Sequence, residues 1–105
     1  MAIDRMLSMI GLATKAGKVA SGEFSTERAI KSHKATMVIV ANDASDNTKK
    51  KFTDMCSWYK VPIIFAGTKE SIGKAMGKEI RASFALLDSG FADMIQKLAH
   101  DAKSN

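Results

Sequence analysis

The sequence predicts one α/β domain, folded as a three-layer α/β/α sandwich around a four-stranded mixed sheet. Helical and strand periods alternate along the 105 residues, in the order α-β-α-β-α-β-α-β-α. Two continuous apolar runs, 37–41 (MVIVA) and 61–66 (VPIIFA), are typical of strands that helices cover on both faces. Buried strands that alternate with helices predict the sandwich, and the chain length leaves no room for a second domain.

The chain begins with an amphipathic helix. Residues 3–10 carry apolar side chains at helical spacing, with Asp4 and Arg5 among them, so this stretch does not resemble an export signal. The helix is expected to end before Gly17, and residues 18–21 then have room only for a brief strand.

A second helix is predicted just after Gly22. Its apolar stripe includes Ala29 and Ile30, and Ser25 and Thr26 are placed to satisfy free backbone amides in its first turn. The first buried apolar run follows this helix as the second strand.

The third helix is expected to begin behind Ser45, a plausible cap, and its helical spacing continues to Tyr59. The strand over 61–66 comes next. Pro62 belongs at the start of that strand, where its missing amide does least harm.

The last third of the chain predicts a short helix at 72–76 and a strand over 80–87. A closing helix follows the Asp88 and Ser89 cap. The tail after His100 is expected to fray.

The composition favours a polyanionic partner. Sixteen Lys and Arg against eleven Asp and Glu give a formal net charge of +5. The single cysteine, Cys56, excludes an intramolecular disulfide, and no apolar run reaches membrane-spanning length. We therefore expect a cytoplasmic protein that does not enter the membrane.

The residues that often bind metals are not clustered in this sequence. His33, His100 and Cys56 lack the spacing of a metal site, so we expect them to be structural and expect neither a metal nor a cofactor. Cys56 shares an apolar stripe with Phe52 and Tyr59, which favours burial over reactivity.

A cationic turn is the strongest local signal for function. Gly73 and Gly77 lie four residues apart and carry no Cβ, so another backbone or a ligand can approach closely. Three cations lie between and after them, Lys74, Lys78 and Arg81, and the apolar Ile80 is set among these cations. Such a turn suits the phosphates and sugars or bases of a nucleic acid, although an ordinary solvated turn would have the same composition.

Three segments resemble a known family. They are 16–32 (AGKVASGEFSTERAIKS), 37–45 (MVIVANDAS) and 72–83 (IGKAMGKEIRAS). In this order they strongly resemble the ribosomal-protein family of kink-turn RNA binders, the L-seven-Ae and L-thirty-e class, and its bacterial YlxQ-type branch. The resemblance covers residues 3–98, which we predict to form the single domain. We expect residues 99–105 to be a frayed tail. It implies an α/β/α sandwich that binds RNA at a sharp bend stabilised by sheared G·A pairs.

The resemblance also implies a set of RNA-binding residues. Where many family members carry an Asn-Glu pair, this chain has Phe24 and Ser25, and Arg28 replaces the usual Lys. Phe24 cannot hydrogen-bond a base edge, whereas Ser25 and Arg28 can. The 77–82 loop is expected to pack on the kink, with an apolar role for Ile80 and a backbone or stacking role for Arg81. The full candidate set is Gly22, Glu23, Phe24, Ser25, Arg28, Asn42, Asp43, Lys74, Gly77, Lys78, Ile80 and Arg81.

Several of these residues have a structural alternative. Phe24 could pack on the core as a hydrophobic staple, and Asp43 could close a turn through its own backbone. Ile80 could belong to the core, because it alternates with Phe84 in the predicted strand. Lys49–Lys51 could be a solvated face or a second RNA contact.

The sequence thus indicates a monomeric protein that binds structured, kink-turn-like RNA, ribosomal or other, and is associated with translation. The ribosome is a further candidate partner. An enzyme is disfavoured because no Ser-His-Asp order, phosphate loop or dinucleotide glycine pattern is present, although Asp43, Ser45 and Glu79 could in principle serve one. The alternative is a protein-interaction adaptor of the same fold that has lost kink-turn binding.

Overall fold

The computed structural model describes the backbone of residues 2–104 and the side chains of residues 2–101. Helices and strands follow one another in the predicted order. They are α1 (Ala2–Lys15), β1 (Val19–Ser21), α2 (Glu23–Lys31), β2 (Met37–Val40), α3 (Asp46–Tyr59), β3 (Ile63–Phe65), α4 (Lys69–Ala75), β4 (Ser83–Leu86) and α5 (Ser89–Ser104).

The four strands form one mixed sheet in the order β1-β4-β2-β3. Strand β4 is antiparallel to β1 and to β2, and β2 is parallel to β3. Val40 therefore pairs with both Ser83 and Phe65. This register brings the last residues of β1, β2 and β3 and the first residue of β4 to one end of the sheet. We call it the loop end, and the opposite end the distal end.

Helices cover both faces of the sheet, as predicted. Helices α2 and α3 pack on each other and on the strands, whereas α1 packs against α4 and α5, and α5 also contacts β4. Strands β2 and β4 are buried along their whole length. The largest fully buried side chains come from the central strands and from both helical layers, and they include Phe52, Phe84, Met6, Ile10, Ile30, Ile72 and Ile95.

Two helix caps are confirmed and one is wrong. The Ser45 side chain accepts a hydrogen bond from the Thr48 amide at 3.1 Å, and the Asp88 carboxylate accepts one from the Phe91 amide at 3.0 Å. Thr26 does not cap an amide. Its hydroxyl is buried and instead donates to the Gly22 carbonyl at 2.6 Å.

The predicted strand 80–87 begins too early. Gly77, at φ 74°, ends the turn after α4, and the amide of Arg81 donates to the carbonyl of Lys69 at 3.0 Å. The backbone around residue 81 is therefore bound to the start of α4, and β4 begins only at Ser83. The alternating side chains of 80–86 concealed this boundary.

The closing helix continues beyond the predicted domain boundary. Helix α5 ends at Ser104, and Ala99 is buried in the core. The packed part of the chain thus includes at least Ala99. Fraying of the remaining tail stays a prediction, and Met1 and Asn105 lie outside the described residues.

The burial predicted for Cys56 is confirmed. Its side chain is almost fully buried, and this burial raises the pKa of the thiol to about 11. Among the described residues, no three His, Cys, Asp or Glu side chains are grouped as metal ligands. Within the same residues, no helix has both the length and the apolar character needed to cross a membrane.

The absence of a side chain at Gly73 allows two backbone segments to meet. A Cβ at this position would lie 2.7 Å from the carbonyl oxygen of Glu79 and 2.8 Å from the amide nitrogen of Ile80. Helix α4 and the segment that follows it can therefore pack directly backbone against backbone.

We expect Gly73→Ala to destabilise the fold by about 1 to 3 kcal/mol, because the added methyl group must displace backbone atoms rather than a flexible side chain. Urea unfolding measures this loss. Lys74→Ala, an exposed change on the same helix, is the control and should stay within about 0.5 kcal/mol of the parent. Equal stability of the two variants would contradict the close approach.

Candidate nucleic-acid interface

The loop end consists of residues 21–28, 41–45, 66–69 and 80–83, and backbone hydrogen bonds join these segments. The amide of Gly22 donates to the carbonyl of Ser83 at 2.9 Å, and that of Ala41 donates to Ala82 at 2.8 Å. The amide of Asn42 donates to the carbonyl of Gly67 at 2.9 Å. The predicted site segments that contain Gly22–Arg28, Asn42–Asp43 and Ile80–Arg81 are therefore brought together by the sheet register and not by their own local turns.

The backbone of Lys69 connects two of these loops. Its amide donates to the Asp43 carboxylate at 2.8 Å, and its carbonyl accepts from the Arg81 amide at 3.0 Å. The predicted turn closure by Asp43 through its own backbone is wrong, because the carboxylate bonds across to another segment. The start of α4 is thus part of the site framework.

The side chain of Arg81 lies along the loop end. Its Nε donates to the Ser21 hydroxyl at 3.3 Å, and its Nη1 donates to the Ile80 carbonyl at 2.7 Å. These bonds hold the half-buried guanidinium near the end of β1. The adjacent Ile80 is 56% exposed, so the alternative that placed it in the core is wrong.

Helix α2 begins at the loop end without a side-chain cap. Gly22 is its N-cap, at φ 92°, and no side chain accepts from the amides of its first turn. Phe24 is 70% exposed, so the predicted alternative of a staple on the core is wrong. The Arg28 guanidinium carbon lies 5.7 Å from the centroid of the Phe24 ring, within cation–π distance. Ser25 is also exposed.

The carboxylates of α2 are directed towards lysines of α2 and α3. Lys51 of α3 lies 3.0 Å from the Glu27 carboxylate and 3.9 Å from that of Glu23, and Lys31 lies 3.0 Å from Glu27. Hydrogen bonds from Lys31 and Lys51 hold the pKa of Glu27 below its usual range. Glu23, a predicted RNA contact, thus takes part in an ion pair between helices.

Two lysines of the cluster Lys49–Lys51 form ion pairs with carboxylates of α2 or α3. Lys51 joins α3 to α2, and Lys50 lies 2.9 Å from Asp54 one turn later on the same helix. The Lys50–Asp54 pair is solvated, as the first alternative expects, whereas Lys51 is half-buried against α2. A second RNA contact by this cluster stays a prediction.

Three of the predicted site residues lie away from the others. Lys74 lines a groove between α1 and α4 together with Lys15. Gly77 and Lys78 form the turn after α4, where the Lys78 amide donates to the Gly73 carbonyl at 2.7 Å. This turn positions the returning loop, while Ile80 and Arg81 reach the loop end.

Sequence reasoning missed the framework residues Ser21, Lys69 and Ser83. Ser83 is buried beside Thr26, with 3.5 Å between their hydroxyl oxygens. A signal was available for Lys69, because Thr68 is a typical helix cap and its side chain accepts from the Ser71 amide at 3.0 Å. That cap indicates a helix N-terminus directly after the third strand.

The sequence of this chain matches the model of a known family. The family model described as the ribosomal protein L7Ae/L30e/S12e/Gadd45 family matches residues 4–95. The chain belongs to this family. The predicted resemblance is thereby confirmed over most of the chain.

Members of the L7Ae family from two bacteria are similar to this chain in sequence. The RNA-binding protein YlxQ of Bacillus subtilis (strain 168) is 41% identical over 90 residues, which cover 86% of this chain and 90% of that protein. The RNA-binding protein YlxQ of Enterococcus faecium is 43% identical over 95 residues, or 90% and 91% of the two chains.

Two solved structures share the L7Ae-family fold. A protein with unknown function from Bacillus halodurans C is 34% identical, superposes with a TM-score of 0.87, and the match covers 90% of this chain and 96% of that one. The 15.5kD RNA binding protein of Giardia lamblia superposes with a TM-score of 0.77 over 99% of this chain and 90% of that one. Its 16% identity makes it evidence for the fold alone.

The ion pairs of Glu27 give a test of how α2 is held. We expect Glu27→Gln to lower the free energy of unfolding at pH 7, since the neutral amide cannot replace two charge-assisted bonds. The folded-state pKa of Glu27 is lowered, so its contribution is present above the unfolded-state pKa and is lost as pH falls through the folded-state value.

Urea unfolding of parent and variant between pH 7 and pH 3 measures this difference, which should shrink towards the acid end. Asp54→Asn removes a carboxylate from an exposed pair within one helix and is the matched control, with a smaller effect expected. A difference that is constant with pH would show that Glu27 does not stabilise α2 through its charge.

Proposed function

We propose that this protein binds structured RNA that contains a kink-turn-like bend, that it uses the loop end to do so, and that it acts in the cytoplasm in association with translation. The observation that carries the proposal is the pairing of exposed apolar side chains with arginines on joined loops. Phe24 and Ile80 are 70% and 56% exposed, and Arg28 and Arg81 lie next to them. Family membership and the name of the YlxQ relatives support the RNA as partner.

Phosphate groups are the natural ligands of the cationic part of this surface. The first turn of α2 lacks a side-chain cap, so its amides and the positive end of the helix dipole are available to an anion. Arg28 is exposed on the next turn of the same helix. A backbone phosphate bound here would place the adjoining nucleotides near Phe24.

Phe24 favours stacking over the base-edge hydrogen bonds expected of an Asn at this position. Its exposed ring offers a face on which a base can stack, and the guanidinium of Arg28 lies 5.7 Å from that ring. Ser25 supplies a hydroxyl for a base edge. We therefore propose that recognition of the bend combines stacking on Phe24 with apolar contact from Ile80.

The proposal is a binding function without catalysis. Two of the three residues that could have served an enzyme have structural bonds: Asp43 accepts from the Lys69 amide, and Ser45 caps α3. Asp43 Oδ1 and the Ser45 hydroxyl therefore take part in the hydrogen bonds of the fold. The protein-interaction adaptor is the alternative outcome of the binding test.

A minimal kink-turn RNA should bind this protein more tightly than a straight duplex of the same length, and binding should weaken steeply with salt. Contact with about three phosphates would weaken binding on the order of 40-fold between about 50 and 200 mM salt. Fluorescence anisotropy of labelled RNA measures both effects. Equal affinity for the two RNAs would reject recognition of the bend, and no binding of either RNA at low salt would favour the adaptor.

Arg28→Ala and Ile80→Ala should weaken binding in different ways. Loss of the Arg28 guanidinium should reduce the salt slope by about one unit, because one phosphate contact is lost. Ile80→Ala should reduce affinity about fivefold with an unchanged slope, since it removes apolar area. Ile80 is exposed, so its loss should change stability by less than about 0.5 kcal/mol.

Lys97→Ala is the matched control, because Lys97 is an exposed cation on α5 in the groove shared with α1. It should leave the affinity and the salt slope close to those of the parent. If the control and Arg28→Ala behave alike, the contact is diffuse and does not depend on the loop end.

A further inference from the structure

An exposed tryptophan lies at the end of the molecule opposite the proposed interface. Trp58, in the last turn of α3, is 82% exposed, the highest value among the large apolar side chains that the structure describes. The turn after α2 and the end of α3 also place His33, Lys34, Tyr59 and Lys60 at this end of the fold, and we call these four residues and Trp58 the distal surface. His33, Lys34 and Lys60 are exposed as well.

The fold brings the two halves of the distal surface together. The turn after α2 and the end of α3 both lie at the distal end, where the Val38 amide donates to the Pro62 carbonyl at 2.9 Å. The rings of His33 and Tyr59 meet edge to face, with centroids 5.8 Å apart. His33 and Lys60 have φ of 61° and 60°, and they are the two non-glycine residues with positive φ in the described chain.

The helix dipole explains why cations lie on this surface, but it does not explain the exposed indole of Trp58. Lys34 follows the end of α2 and Lys60 is the C-cap of α3, where positive charge complements the helix dipole. Trp58 contributes neither a charge nor much buried area there. A large flat apolar side chain among cations is the composition of a surface that stacks nucleobases.

A groove connects the distal surface to the proposed interface. It runs beside α2 and the edge strand β1, with Arg28 in its lining near the loop end and Lys34 in its lining near the distal end. Ala20 and Ala29 line it between these cations, and none of its described lining residues is acidic. A phosphodiester backbone that follows this groove would meet one cation towards each end, Arg28 and Lys34.

We infer that the distal surface binds unpaired nucleotides that continue the RNA beyond the loop end, with a base stacked on Trp58 and phosphates beside Lys34 and Lys60. The inference rests on the proposed function, because RNA bound at the loop end determines where the unpaired strand starts. The molecule extends 33 Å along its longest axis. A stacked strand rises about 3.4 Å per nucleotide, so about ten nucleotides are enough to reach Trp58.

Intrinsic fluorescence tests the stacking directly, because Trp58 is the one tryptophan of the chain. The probes are a minimal kink-turn RNA and the same RNA with an unpaired tail of about ten nucleotides at either its 5′ or its 3′ end. One tailed RNA should quench Trp58 emission, and the tailless RNA should leave it unchanged. A lack of quenching by both tailed RNAs would overturn the inference.

Affinity gives an independent readout. The productive tail should tighten binding on the order of tenfold, and Trp58→Ala or Lys60→Ala should abolish that gain while leaving binding of the tailless RNA unchanged. Lys97→Ala should keep the gain. A gain that survives both distal substitutions would overturn the inference.

Failure of the proposed loop-end function has a different signature. In that case the tailless RNA would not bind, whereas a single strand of about ten nucleotides would still quench Trp58 and the quenching would weaken in Lys60→Ala. This result would support the distal surface and reject the kink-turn interface. If the tailless RNA binds and neither tail has an effect, the result would support the kink-turn interface and reject the distal surface.

Discussion

The close approach of two backbone segments at Gly73 determines the geometry of the loop end. The segment that leaves α4 crosses Gly73 at a distance that no side chain would permit, and only then can the Arg81 amide reach the carbonyl of Lys69. The amide of the same lysine is already bonded to Asp43 from the loop after β2. These contacts with other segments position Ile80 and Arg81, and the conformational preference of their own turn does not.

Charge is distributed unevenly over α2 and α3, the two helices that cover one face of the sheet. The carboxylates of Glu23 and Glu27 meet Lys51 and Lys31, which joins the helices and neutralises much of their facing surface. Arg28, on the same helix, lies instead over the Phe24 ring. The cationic character available to a polyanion therefore depends on where each side chain is directed, and the formal charge of +5 alone does not locate it.

The sequence predicted the order of elements well because burial imposes a period on every helix and strand. It could not predict contacts between distant segments. Asp43 and Lys69 are 26 residues apart, and only the strand register brings them together. The pattern around Ile80 was equally compatible with a strand and a loop, and the exposure of Phe24 depends on how α2 lies on the sheet. The candidate residues are now placed in space, while their contacts with RNA stay predictions.

The loop end is held mainly by backbone hydrogen bonds, which limits how far it can adapt to a ligand. Binding there would order a few side chains, such as Phe24 with two rotatable bonds, at a small entropic cost. If the proposed function holds, a surface of this kind would not reshape itself around a straight duplex, and the RNA would have to adopt the bent form. An RNA that is already bent in isolation would then bind without the cost of bending, whereas one that must be bent would bind more weakly by that free energy. Discrimination between RNAs would then follow from the conformational preference of the RNA as much as from the side chains that contact it.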